Sequence, residues 1–145
     1  MKTPLTLSAL AIAAACLASS TASAVAPFKK TFDEKYVKNS GNDDFKAAYK
    51  KASCNVCHVK GKKKDWVNAY GLELAELIPG NAKQRLADAK KKGTEERAAE
   101  NEKLVKELLA AFGKVAEKKS PGGKTYAEMF KSHELPTPDG AKSTK

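Results

Sequence analysis

Cys54 and Cys57 lie three positions apart and His58 follows directly, in the run Cys54-Asn55-Val56-Cys57-His58. On a helical turn the two sulfurs line one edge, where they can form thioethers with the two vinyl groups of a haem, while the imidazole one position further reaches the iron. C-x-x-C-H is the attachment signature of a c-type haem. It makes Cys54 and Cys57 the covalent tethers and His58 the proximal iron ligand. Two other chemistries use the same residue types. A structural zinc site needs four ligands, and the sequence adds only His133 and Cys16. A thioredoxin-like redox pair belongs in a βαβ pattern, and no run here has the β-branched alternation of a strand.

Haem attachment in this form takes place outside the cytoplasm, and the first residues are consistent with export. Lys2 gives a positive start, residues 5–17 form an apolar stretch, and Ala22-Ser23-Ala24 reads as a small-residue cleavage site. The expectation is a signal peptide over residues 1–24, a mature chain from Val25 and a periplasmic location. Cys16 would leave with the leader; a lipid anchor on it is disfavoured because Ala13 stands where a larger aliphatic is usual. The stretch falls short of the roughly 20 apolar residues that cross a bilayer, so no membrane span is expected.

The elements that must position the motif are helical by pattern. Residues 25–41 read as an extended or partly helical lead-in with Phe28, Phe32 and Tyr36 at helical spacing. Asn42 or Asp43 caps a helix whose apolar stripe is Phe45, Ala48, Tyr49 and Ala52, and this helix delivers Cys54. A loop dense in lysine follows His58. Trp66 then opens a second helical pattern through Tyr70, Leu74, Leu77 and Ile78, stopped by Pro79-Gly80. Residues 81–92 carry little that is large and apolar beyond Leu86. Thr94 caps the longest helix, with a stripe of Leu104, Leu108, Ala111 and Val115 widened by Leu109 and Phe112. After the turn Ser120-Pro121-Gly122-Gly123 comes a short apolar element at residues 126–130, then a tail over 136–145 expected to be mobile. The expectation is an all-α fold with one haem domain over residues 42–135.

Composition limits what such a domain can do. Without the leader about 121 residues remain, modest for a core built without help, and a covalent macrocycle supplies an apolar surface on which helices pack. The formal charge is +10, and only Lys2 leaves with the leader. Such a basic protein suits acidic company. Nucleic acid is a poor partner: the basic residues are interleaved with Glu and Asp, no recognition motif is present and the compartment is wrong.

With C-N-V-C-H at the end of an amphipathic helix in an exported, helical chain, the protein resembles a monohaem c-type cytochrome of the class with an N-terminal haem site. The motif followed by Asn68-Ala69-Tyr70-Gly71 is similar to small exported bacterial cytochrome c domains. The resemblance implies a small helical domain packed around one haem c and single-electron transfer with no substrate transformed. It also implies a distal methionine ahead of the final helix. Here the only Met beyond the leader, Met129, follows the longest helix. The distal position therefore stays open between Met129, His133 four residues on, another donor such as a lysine, and no protein ligand. The alternative function is an open haem that binds NO, CO or peroxide as a sensor or weak peroxidase; a haem subunit of a larger periplasmic oxidoreductase is a third. Lys60, Lys62, Lys63 and Lys64 follow the proximal histidine closely enough to steer an acidic redox partner.

Overall fold

A computed structural model describes residues 26–136 and 140–142. The expected leader, its cleavage site and Cys16 lie outside these residues. The described chain is mostly helical.

Helix α1 (Ala26–Phe32) runs into a π-helical turn, Asp33–Val37, closed by the Lys38 N–H donating to the Asp33 carbonyl at 2.8 Å. The wider turn brings Phe32 and Val37 inward together, 3% and 2% exposed. The lead-in is thus helical and part of the core. Helix α2 (Asp43–Ala52) begins at Asn42, whose Oδ1 accepts from the Phe45 N–H at 2.8 Å, with Asp43 and Asp44 at its positive end and Lys50 and Lys51 at its negative one. Phe45 and Tyr49 are its buried face. Ser53 ends it at φ 51°, and a 3-10 turn, Ser53–Val56, carries the chain into the cysteine motif.

Residues 66–68 depart from the helical reading. Trp66–Asn68 form strand β1, and α3 spans Ala69–Leu77. The cause is non-local: the Val59 N–H donates to the Trp66 carbonyl and the Asn68 N–H to the Cys57 carbonyl, both at 3.0 Å, so these backbone groups are engaged across the loop. On its other edge β1 pairs antiparallel with β2 (Gly140–Lys142), Trp66 opposite Lys142. Part of the tail expected to be mobile is therefore tied into a two-stranded ribbon.

Residues 81–92 contain an eleven-residue helix, α4 (Ala82–Lys92), capped by Asn81. Gly93, at φ 148°, separates it from α5 (Thr94–Ala116). Thr94 is inside α5 rather than its cap, and no side chain caps that end. Helix α5 supplies Leu104, Leu108, Ala111, Phe112 and Val115 to the core, while Leu109 is 43% exposed. Helix α6 (Tyr126–Lys131) opens with a capping box between Thr125 and Glu128.

The core is largely aromatic. The Phe32 ring lies 5.6 Å from that of Tyr49, 5.9 Å from Phe112 and 5.4 Å from Phe130, edge-on to the last two. Offset and edge-to-face arrangements of this kind are the favoured ones for ring quadrupoles.

Candidate functional site

The reversal at Ser53 and the 3-10 turn bring Cys54, Cys57 and His58 to the floor of one cavity of about 360 Å³. A volume in the range of about 300–1,000 Å³ is that of small-molecule and cofactor sites. Its walls are predominantly apolar: Phe28 and Phe32 from α1, Val67 from β1, Leu74 from α3 and Ile78 just past its end. Lys29, Lys64 and Lys83, from three different segments, are also among the residues that line it.

Two residues hold the motif in this shape. Asn68, fully buried, donates from Nδ2 to the Val56 carbonyl at 2.8 Å and accepts at Oδ1 from the Gly71 N–H at 2.9 Å. One amide thereby ties the cysteine turn to the first turn of α3. Gly71 packs on the motif backbone, where a Cβ would collide with the Cys57 carbonyl oxygen and stand 2.9 Å from the Val67 Cβ. The motif quartet Asn68-Ala69-Tyr70-Gly71 signalled both positions in the sequence, but neither role could be read there. The wall at residues 80–83 carried no such signal.

The electrostatics act differently on the imidazole and on the thiol beside it. Burial lowers the pKa of His58, the nearby Lys64 charge lowers it further, and the backbone of Trp66 and Lys64 offsets part of both. The imidazole is therefore neutral near pH 7, the form that ligates a metal. Its buried Nδ1 closes no hydrogen bond of ordinary geometry. Burial, with Cys54 adding to it, pushes the Cys57 thiol up to about 12, so in the haem-free chain it stays protonated and weakly nucleophilic. A haem fits this set: a thiol pair and a neutral imidazole on one floor, and apolar walls for the macrocycle.

The other expected residues are elsewhere. Met129 is 6% exposed on α6 and belongs to the core, outside the lining of this cavity. His133 lies past the end of α6 with φ 58°, exposed, its ring 5.5 Å from that of Phe45 and its Nδ1 3.3 Å from Asn42 Nδ2. It neither shares a helical face with Met129 nor lines the cavity. Lys60, Lys62, Lys63 and Lys64 are all exposed, on a loop closed by the Lys62 N–H to the Val59 carbonyl at 3.3 Å and the Trp66 N–H to the Lys63 carbonyl at 2.9 Å. Lys62 Nζ stands 5.5 Å above the Trp66 ring.

No family model, curated protein or solved structure matches the chain. No helix among the described residues is long and apolar enough to cross a membrane.

Proposed function

We propose that the protein is an exported electron carrier holding one covalent haem c. The observation that supports this best is the convergence of Cys54, Cys57 and His58 on the floor of a cavity with apolar walls. Cys54 and Cys57 would hold the macrocycle by thioethers, and His58 would bind the iron. When bound, the haem supplies a one-electron iron couple. The side chains do the rest. Phe28, Phe32, Leu74 and Ile78 keep water from the macrocycle, which together with the axial ligands sets the potential. The exposed lysines of residues 60–64 favour an acidic redox partner in the periplasm and raise its encounter rate at low salt. No substrate is transformed.

A second reading has the distal position open to NO, CO or peroxide. It is favoured by one observation, that Met129 and His133 both lie outside the cavity lining.

Intact-mass measurement on the exported protein tests the proposal. The expected mass is that of the chain from Val25 plus one haem, and that of Cys54→Ala/Cys57→Ala is the chain alone. A parent chain without covalent haem refutes it.

A further inference from the structure

The outer face of α5 holds two residues that the fold of one chain does not account for. Leu109 is left 43% exposed, a large apolar side chain in water on a helix whose Leu104 and Leu108 are fully buried. Gly113, one turn further on, sits inside the 23-residue helix, where glycine is the least favourable residue after proline. Neither of the usual reasons for a glycine applies to it. Its φ is not positive, and a Cβ would meet nothing within 4 Å.

What the missing side chain leaves is a hollow. Gly113 and Ala116 of α5, with Ala127 of α6, line a surface cavity of about 460 Å³ together with the rings of Tyr36, Phe112 and Phe130. The Tyr36 ring lies 4.3 Å from that of Phe130 and 5.5 Å from that of Phe112. This hollow shares no lining residue with the cysteine cavity, to which α5 contributes none.

A projection and a recess thus stand one turn apart on the same helix. Val105, Leu109, Gly113 and Ala116 recur at four- and three-residue spacing, which puts them on one face. Along one side of that face come Lys106 and then Glu117, both exposed, and neither forms an ion pair among the described residues. Glu117 caps the helix with helical backbone angles, so the face runs on to it.

We propose that α5 packs antiparallel on α5 of a second copy of this chain, about a two-fold axis near Ala111. An isologous contact requires a surface that complements itself, and this face does. Leu109 of each copy falls opposite the partner's Gly113 and enters its hollow. On one side Val105 meets the partner's Ala116, and on the other Lys106 meets the partner's Glu117. The glycine lets the two helices approach closely, which is the reason for it that a single chain does not supply. The pair carries two cysteine cavities, neither of them lined by the paired helix.

Sedimentation equilibrium of the full exported protein tests this, at physiological ionic strength so that the repulsion between two basic copies is screened. The parent should sediment as a dimer. Leu109→Lys should make it a monomer, because it sets a charge against an apolar recess. Gly113→Leu should do so as well. The space at its Cβ is open and leucine is the better helix former, so its far-UV circular dichroism should stay as in the parent while the dimer is lost. Lys106→Glu should weaken association several-fold even though it lowers the net positive charge, because it sets two carboxylates opposite one another. Adding Glu117→Lys to it restores both ion pairs with the signs exchanged, and the dimer should return. A parent that stays monomeric at millimolar concentration leaves the hollow to a different occupant and overturns the proposal. So does a dimer that survives Leu109→Lys or Gly113→Leu, a Lys106→Glu dimer tighter than the parent's, or a double variant that associates no better than Lys106→Glu alone.

Discussion

Asn68 does at the scale of one residue what the cysteine motif cannot do for itself. The sequence Cys54-Asn55-Val56-Cys57-His58 names a cofactor, but its geometry depends on an amide twelve residues past Val56 that bonds to both Val56 and Gly71. Asn68→Ala leaves a buried carbonyl and a buried N–H without partners, which costs about 2–4 kcal/mol at the usual penalty for unsatisfied groups. Urea unfolding of the haem-free protein measures it; a loss under 1 kcal/mol would mean that water replaces the amide. The motif's identity was legible because its chemistry is local. The distal side was not, because it depends on which distant segments reach the cavity. Met129 was a candidate as the only thioether beyond the leader, yet at 6% exposure it fills the core on α6, the usual role of a flexible apolar side chain.

At the scale of elements, helices with a strong apolar stripe were legible and those held by partners were not. Helix α2 and its Asn42 cap follow from the sequence, as does the buried face of α5. Strand β1 did not, since Trp66 and Tyr70 have helical spacing, which is overridden by the pairing of residues 66–68 with residues 57–59 on one edge and with β2 on the other. Helix α4 is the opposite case, a helix with few large apolar residues. Its attachment to α5 relies on Arg85, which bonds Glu107 through two nitrogens at 2.7 and 3.1 Å and also reaches Glu100 and the Pro79 carbonyl. With Arg85, Glu100 and Glu107 each about one-fifth exposed, solvent screening is only partial. Arg85→Met should therefore destabilise the protein by about 2 kcal/mol, within the range for hydrogen bonds to charged groups. Hydrogen exchange should speed up in residues 79–92 before the rest. Uniform protection with unchanged stability would show that Leu86 and Ala89 hold α4 without the ion pairs.

At the scale of the whole molecule, the cavity and the aromatic core share a wall, because Phe32 and Tyr49 belong to both. The same core holds tyrosines whose hydroxyls lack good partners. Those of Tyr36 and Tyr70 face one another without closing a hydrogen bond of ordinary geometry. Burial pushes Tyr36 up to about 12, an effect the Tyr70 hydroxyl partly offsets. Tyr70 rises further, through burial first and then through the negative charges that Cys57, Tyr36 and Tyr126 would carry. An exposed tyrosine in the unfolded chain titrates near ~10. Below that value both states hold the proton, and the full stability is present. Above it the unfolded chain releases protons that the folded one keeps, so stability falls as pH rises from about 10 towards the folded pKa near 12. Lysine deprotonation acts in the same interval by relieving positive charge, so the parent is compared with Tyr36→Phe, which leaves the lysines intact and removes one buried hydroxyl. The urea midpoint of the parent should drop between pH 9.5 and 11.5 (on the order of the span over which a tyrosine titrates), and the variant should drop less over the same interval. Parallel curves for the two proteins would show that Tyr36 ionises in the folded state as readily as in the unfolded chain, and that the aromatic core around it admits the charge.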